Sequence, residues 1–139
     1  MRRDTLGLLE DIRNAARFIA EDTAGITLDA FEGDRRTRQL VERNFEIIGE
    51  AVNRLRRHDP AIAAHISAHE QIVAFRNVLI HGYDVIDYPT VWRTVQESLP
   101  VLRAEVERVL REVEDIGPQA AGAWARRRPT EGQALMGYK

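Results

Sequence analysis

Within eight residues, from Arg76 to Tyr83, the chain sets an arginine, an asparagine, a histidine and a tyrosine. The arginine presents a planar fork of donors that matches phosphate oxygens and stays charged. His81 titrates near neutral pH and can act as general base or general acid. Asn77 can hold His81 or a phosphate oxygen in place. On a helix, at about 100° per residue, Arg76 falls between Ile72 and Ile80 on an otherwise apolar side. Asn77 and His81 are four apart and share a separate polar stripe. Tyr83, seven after Arg76, returns to the Arg76 stripe if the helix runs past Gly82. An arginine among aliphatics must be paired or look into a cleft. A purely structural account ties Arg76 to a carboxylate such as Glu46 or Glu50 and makes His81 a favourable residue at a helix C-terminus. Spacing alone leaves both accounts open.

Two other constellations invite metal chemistry. His65 and His69 are four apart, a ligand spacing on a helix, but Ser67-x-x-Glu70 reads as a capping box that interrupts it, and no third ligand stands nearby. Glu42, Glu46 and Glu50 recur every four residues, yet the Glu-x-x-His partners of a carboxylate-bridged di-metal bundle are absent. No metal site is expected. Glu46 and Glu50 read instead as partners for a buried arginine, with Arg76 the candidate, or as helix-surface charges.

These residues need helices to hold them. The first runs from Asp4 or Thr5, as N-cap, to about Asp22, with Leu9, Ile12, Ala16 and Ile19 at helical spacing. Thr27 to Gly33 reads as one short turn. Asp34 caps a long helix to about His58 whose buried stripe is Leu40, Phe45, Ile48, Val52 and Leu55. Asp59-Pro60 starts a short helix, proline being suited to the first helical position. The capping box at Ser67 opens the next, which Gly82 closes. That helix is apolar nearly all round, through Ile72, Val73, Phe75, Val78, Leu79 and Ile80, and belongs in the middle of a bundle or at an interface. Asp87 caps a final helix from Tyr88 to about Asp115, ended by Gly117-Pro118, with Pro100 kinking it and Trp92 in the core. No strand-like alternation survives.

Composition agrees. A chain of 139 residues makes about one domain, and its 44% hydrophobic and 30% charged content is ordinary for a globular protein. Aromatics are only 6%, while Ala, Leu, Arg and Glu favour helix. The absence of Cys rules out a disulfide framework and a thiolate metal site. Met1-Arg2-Arg3-Asp4 is not followed by an apolar signal-type segment, and no apolar run approaches the length of a membrane span, so a cytoplasmic protein is expected. A net charge of −2 gives no global pull on nucleic acid. From Gly117 onward, Arg126, Arg127, Arg128 and Lys139 stand against Glu131, a local +3. Such a tail is either a solvated terminus or a phosphate-binding arm.

The segment Phe75-Arg76-Asn77-Val78-Leu79-Ile80-His81-Gly82-Tyr83 closely resembles the signature of HEPN domains in the HepT toxin family. That signature is Arg, four to six residues, then His. HepT members typically have four, then one residue and a Tyr, with Asn directly after the Arg. Val41-Glu42-Arg43-Asn44-Phe45-Glu46-Ile47-Ile48-Gly49-Glu50-Ala51 and Val91-Trp92 followed by Leu99-Pro100 resemble the same family. The likeness covers roughly residues 4–113. Members often carry a Trp near the position of His69 and a Gly near Ala74, and this chain has neither.

The helical pattern gives an all-α bundle of four to five helices over residues 1–116 with a loosely ordered basic tail over 117–139, and the resemblance makes the bundle HEPN-like; the tail matches nothing in the family. The resemblance implies the toxin of a toxin–antitoxin system, a metal-independent endoribonuclease with no cofactor whose catalytic residues are Arg76, His81 and Asn77. RNA cleavage by its own 2′-hydroxyl needs a proton acceptor, a proton donor and stabilisation of a crowded phosphorane. One histidine cannot easily fill both proton roles, and a two-fold homodimer joins two Arg/His sets in one cleft. The implied partner is a nucleotidyltransferase antitoxin that silences the toxin by adding AMP to Tyr83, whose hydroxyl could otherwise simply bond a neighbouring helix. The alternative is a non-catalytic helical nucleotide- or protein-binding partner of a nucleotidyltransferase.

Overall fold

Three of the helices begin where a side chain satisfies free amides of the first turn; Asp87, expected to cap the helix from Tyr88, precedes it but makes no such bond. Thr27 accepts from the Ala30 amide at 3.1 Å and starts α2 (Leu28–Gly33). Asp34 accepts from the Arg36 and Thr37 amides and starts α3 (Arg35–His58). Asp59 does the same for Ile62, with Pro60 in the first position of α4 (Pro60–Ala63). The remaining elements are α1 (Arg3–Thr23), α5 (His69–His81), α6 (Tyr88–Arg93), a π-turn (Thr94–Ser98) and α7 (Leu99–Ala125). The computed structural model describes residues 3–81 and 86–126, with backbone alone for Arg3, His81 and 114–125. Among the described residues there is no strand, and the protein is all-α.

α3 is the spine. It packs against α1 on one side and α5 on the other, and α1 in turn packs on α7. The α1 stripe Leu9, Ile12, Ala16 and Ile19 is fully buried, and so, to within a few per cent, are Phe45, Ile48, Val52 and Leu55 of α3. Leu40 is the exception, 43% exposed. Val41, four before Phe45, occupies that stripe and is buried in its stead. Phe31 of α2 is buried against Trp92 and Tyr88 of α6, with ring centres 5.2 and 6.2 Å away. Trp92 packs on the core while remaining half-buried.

Three local expectations are corrected. Asp4 and Thr5 do not cap α1, which already includes them; Thr5 is buried, and its hydroxyl hydrogen-bonds the Asp59 carboxylate at 3.1 Å. Ser67 does not open α5. Its amide (3.2 Å) and its hydroxyl both bind the buried Glu105 of α7, and α5 starts two residues later, with the Ala68 carbonyl accepting the first helical bond. Gly117-Pro118 does not end the last helix, which runs to Ala125. Pro100 is accommodated by the π-turn just before it, where the Leu99 amide reaches five residues back to the Thr94 carbonyl. That widening makes room where a proline ring would otherwise meet the preceding turn.

α5 packs chiefly on α3 and lies at the edge of the bundle. Ile72, Phe75 and Leu79 face inward, with Phe75 set edge-on to Phe45 at 5.1 Å. Ala74, Asn77 and Val78 face out. Of the two places its composition allows, α5 is therefore not in the middle. No helix among the described residues is long and apolar enough to cross a membrane.

Candidate functional site

Arg76 projects from α5 across α3, and Gly49 makes that crossing possible. A Cβ at position 49 would lie 2.3 Å from Arg76 Cβ, 2.8 Å from Cγ and 2.9 Å from Cδ, so only glycine leaves room for the aliphatic stem. Beyond the stem, Arg76 Nη2 pairs with Glu50 Oε2 at 3.1 Å. Nη1 donates to Asn77 Oδ1 at 3.4 Å, a long hydrogen bond. Nε is buried and has no partner among the described residues. Of the two carboxylates the sequence offers Arg76, the structure selects Glu50.

The guanidinium borders an open groove of about 220 Å³ between α1, α3 and α5. Arg43, Glu46, Glu50 and Arg54 line it from α3, Asp11 from α1, over a floor of aliphatic side chains. Arg43 and Arg54 carry no ion pair among the described residues. Sequence reasoning did not single out Gly49, Arg43, Arg54 or Asp11. The signal for Gly49 was its place before Glu50 inside a long helix, where glycine is otherwise unfavourable.

His81 is the last residue of α5, one turn beyond Asn77. Its imidazole, and Gly82 and Tyr83 with it, lie outside the described side chains and residues. Arg76 and Asn77 are thus brought together directly, whereas His81 is located by its backbone alone. Of the basic tail, Arg126 is exposed and residues 127–139 lie outside the described residues.

No cluster of three or more ligand-type side chains occurs among the described residues. His65 sits in the turn between α4 and α5 and is buried, so it does not share a helical face with His69. Burial, helped by the nearby Arg56 and offset by Glu70, holds His69 below its ordinary histidine value. The chemistry on offer is that of a fixed cation at the edge of an open groove, able to take a phosphate.

The Ribonuclease HepT-like family matches residues 9–109. A protein of Methanocaldococcus jannaschii named as a candidate RNase is 36% identical over 112 residues, 78% of this chain and 98% of its own. The "Probable ribonuclease HepT" of Thermococcus cleftensis is 34% identical over 109 residues, again 78% of this chain and 98% of its own. A candidate RNase of Caldanaerobacter subterraneus is 31% identical over 102 residues, 73% of this chain and 90% of its own. No solved structure matches significantly. With the Arg-x4-His segment on an all-helical scaffold and relatives matched along nearly their whole length, this chain belongs to the HepT-like ribonuclease family.

Proposed function

We propose that this protein is a metal-independent endoribonuclease that works as a homodimer and serves as the toxin of a toxin–antitoxin pair. The observation that carries the reading is the presentation of Arg76: the guanidinium is seated by Gly49, held by Glu50 and Asn77, and set beside an open groove. In the reaction, a ribose 2′-hydroxyl attacks the adjacent phosphorus and the 5′-oxygen of the next nucleotide leaves. Arg76 neutralises the phosphorane as charge builds on its oxygens. His81 takes the 2′-hydroxyl proton, and His81 of the partner subunit returns one to the leaving oxygen. Asn77, bonded to Arg76 and one turn before His81, keeps the two groups in register. Family membership supports RNA as substrate.

Control rests on Tyr83 and a partner nucleotidyltransferase. The phenol oxygen attacks the α-phosphorus of ATP, the phenolic proton is lost and pyrophosphate departs, leaving AMP on the tyrosine. The new phosphodiester charge pairs with Arg76 in the place of the RNA phosphate, and the nucleotide's bulk obstructs the cleft.

Purified protein incubated with RNA and a chelator tests the core of this reading. Cleavage that persists with the chelator and is lost in Arg76→Ala is the expected result. Intact RNA under those conditions would overturn it in favour of a non-catalytic helical partner of the nucleotidyltransferase. Mass mapping after incubation with that enzyme and ATP tests the control step, and labelling that survives Tyr83→Phe would sink it.

A further inference from the structure

Resting on that nuclease reading, we infer that Glu50 is the positioning residue of the site: it fixes the orientation of Arg76 before RNA arrives. An arginine stem has several rotatable bonds, and its guanidinium serves a phosphorane only in one orientation. Three contacts remove that freedom here. Gly49 lets the stem lie flat on α3, and Glu50 and Asn77 each hold one terminal nitrogen. Each terminal nitrogen carries two hydrogens, so one N–H on each remains uncommitted among the described residues. Donor capacity on both terminal nitrogens is what bidentate capture of a phosphate draws on.

The environment of Glu50 suits that role better than a role in stability. Its side chain is 45% exposed against 25% for Arg76, and a pair so open to water adds little to folding. The carboxylate also lines the groove, where its charge opposes the approach of a polyanion. A residue that repels the substrate and barely stabilises the fold is explained if it orients the cation that the reaction needs.

The two effects of Glu50 pull apart in kinetics. Glu50→Gln keeps the shape and a weaker acceptor but removes the charge, and Glu50→Ala removes the contact. The expected result is a fall in kcat of about tenfold for Gln and more for Ala, since charge-assisted bonds are roughly twice as strong as neutral ones. KM is expected to stay level or fall, because a negative charge has left the groove. A merely structural residue would instead lose activity in proportion to folded protein, so helical content and Tm are measured alongside. Wild-type kcat in Glu50→Ala, with Arg76→Ala inactive, overturns the positioning role while the nuclease reading stands. A rise in KM at constant kcat overturns it as well, by making Glu50 an aid to binding. Absence of cleavage by the wild type overturns the nuclease reading and the role of Glu50 with it.

Discussion

Among the carboxylates that link helices in the described residues, Glu105 and Glu50 do so in opposite ways. Glu105 of α7 is only 6% exposed and receives both the amide and the hydroxyl of Ser67, fastening the turn before α5 to the far side of the bundle. Glu50 of α3 is about half exposed and holds Arg76 by one terminal nitrogen beside an open groove. The buried link takes its hydrogen bonds from the neutral donors of Ser67 and is nearly closed to solvent. The open link is charged and leaves donor capacity unspent. A buried contact left half-satisfied would cost stability outright, whereas an open one can be left incomplete and completed by a substrate. The same residue type therefore serves the fold at one site and is available to chemistry at the other.

The sharpest way to break this contrast is to remove the groups the open link presents. Arg76→Ala and His81→Ala are each expected to lower RNA cleavage by about 10²-fold or more, the usual scale for losing an electrostatic stabiliser or a general acid–base. Circular dichroism and Tm should barely move, since the Arg76–Glu50 pair is too exposed to carry much stability. A variant that unfolds would move its residue to the structural side of the comparison. The complementary change is Glu105→Ala, which leaves the Ser67 amide without its acceptor. It should cost about 1–3 kcal/mol of folding stability by denaturant titration, with activity per folded molecule retained. Lost turnover in fully folded Glu105→Ala would show that the two links are not separable.

Gly49→Ala tests the seat of the open link. Within a helix, alanine is preferred to glycine by about 0.5–1 kcal/mol, so the substitution has a local stabilising component. The new methyl must nevertheless displace the Arg76 stem, whose Cβ would be 2.3 Å away. A displacement of that size in a group that acts on the transition state should lower kcat by roughly tenfold or more, with a small change in Tm of either sign. Unchanged kcat would mean that Arg76 works from another position.

The sequence made much of this scaffold readable, and the reasons differ from residue to residue. Asp34 and Asp59-Pro60 start helices as expected because capping is settled within three residues of chain, and Thr27, read only as the start of a short turn, caps α2 in the same way. The stripes of α1 and α3 were legible because burial repeats with the helical period, and Leu40 failed because Val41 holds the better place on that period. Ser67 was misread because its partner stands 38 residues away, and a local capping pattern cannot compete with a buried carboxylate arriving from α7. The run of α7 through Gly117-Pro118 likewise goes against local propensity. At the site, the sequence reduced the partners of Arg76 to two glutamates. Only the packing of α5 on α3 could choose Glu50 and show why its neighbour is glycine.

The smallest expected effect lies in the pH dependence of the closed link. Burial pushes the Glu105 carboxyl above its ordinary value, against the pull of the Ser67 hydrogen bonds and of Arg108. The folded chain therefore holds a proton at Glu105 over a pH window in which the unfolded chain has released it. In that window the folded state binds more protons, so stability falls as pH rises. The contribution is fully present below the ordinary carboxylate value and is lost as pH climbs through the raised one. Glu105→Gln, which stays neutral throughout, should flatten this part of the Tm–pH curve in weakly acidic buffer. Its difference from wild type should be smallest at the acid end and grow towards neutrality. Asp34 makes a useful control, because bonds from Thr37 and Arg36 lower its value and place its own loss of stability at still lower pH. A wild-type curve that rises with pH across the Glu105 window, and that Glu105→Gln leaves unchanged, would show the buried carboxylate to be ionised throughout. Both links would then rest on an ionised carboxylate, and differ in exposure and in the donors they hold.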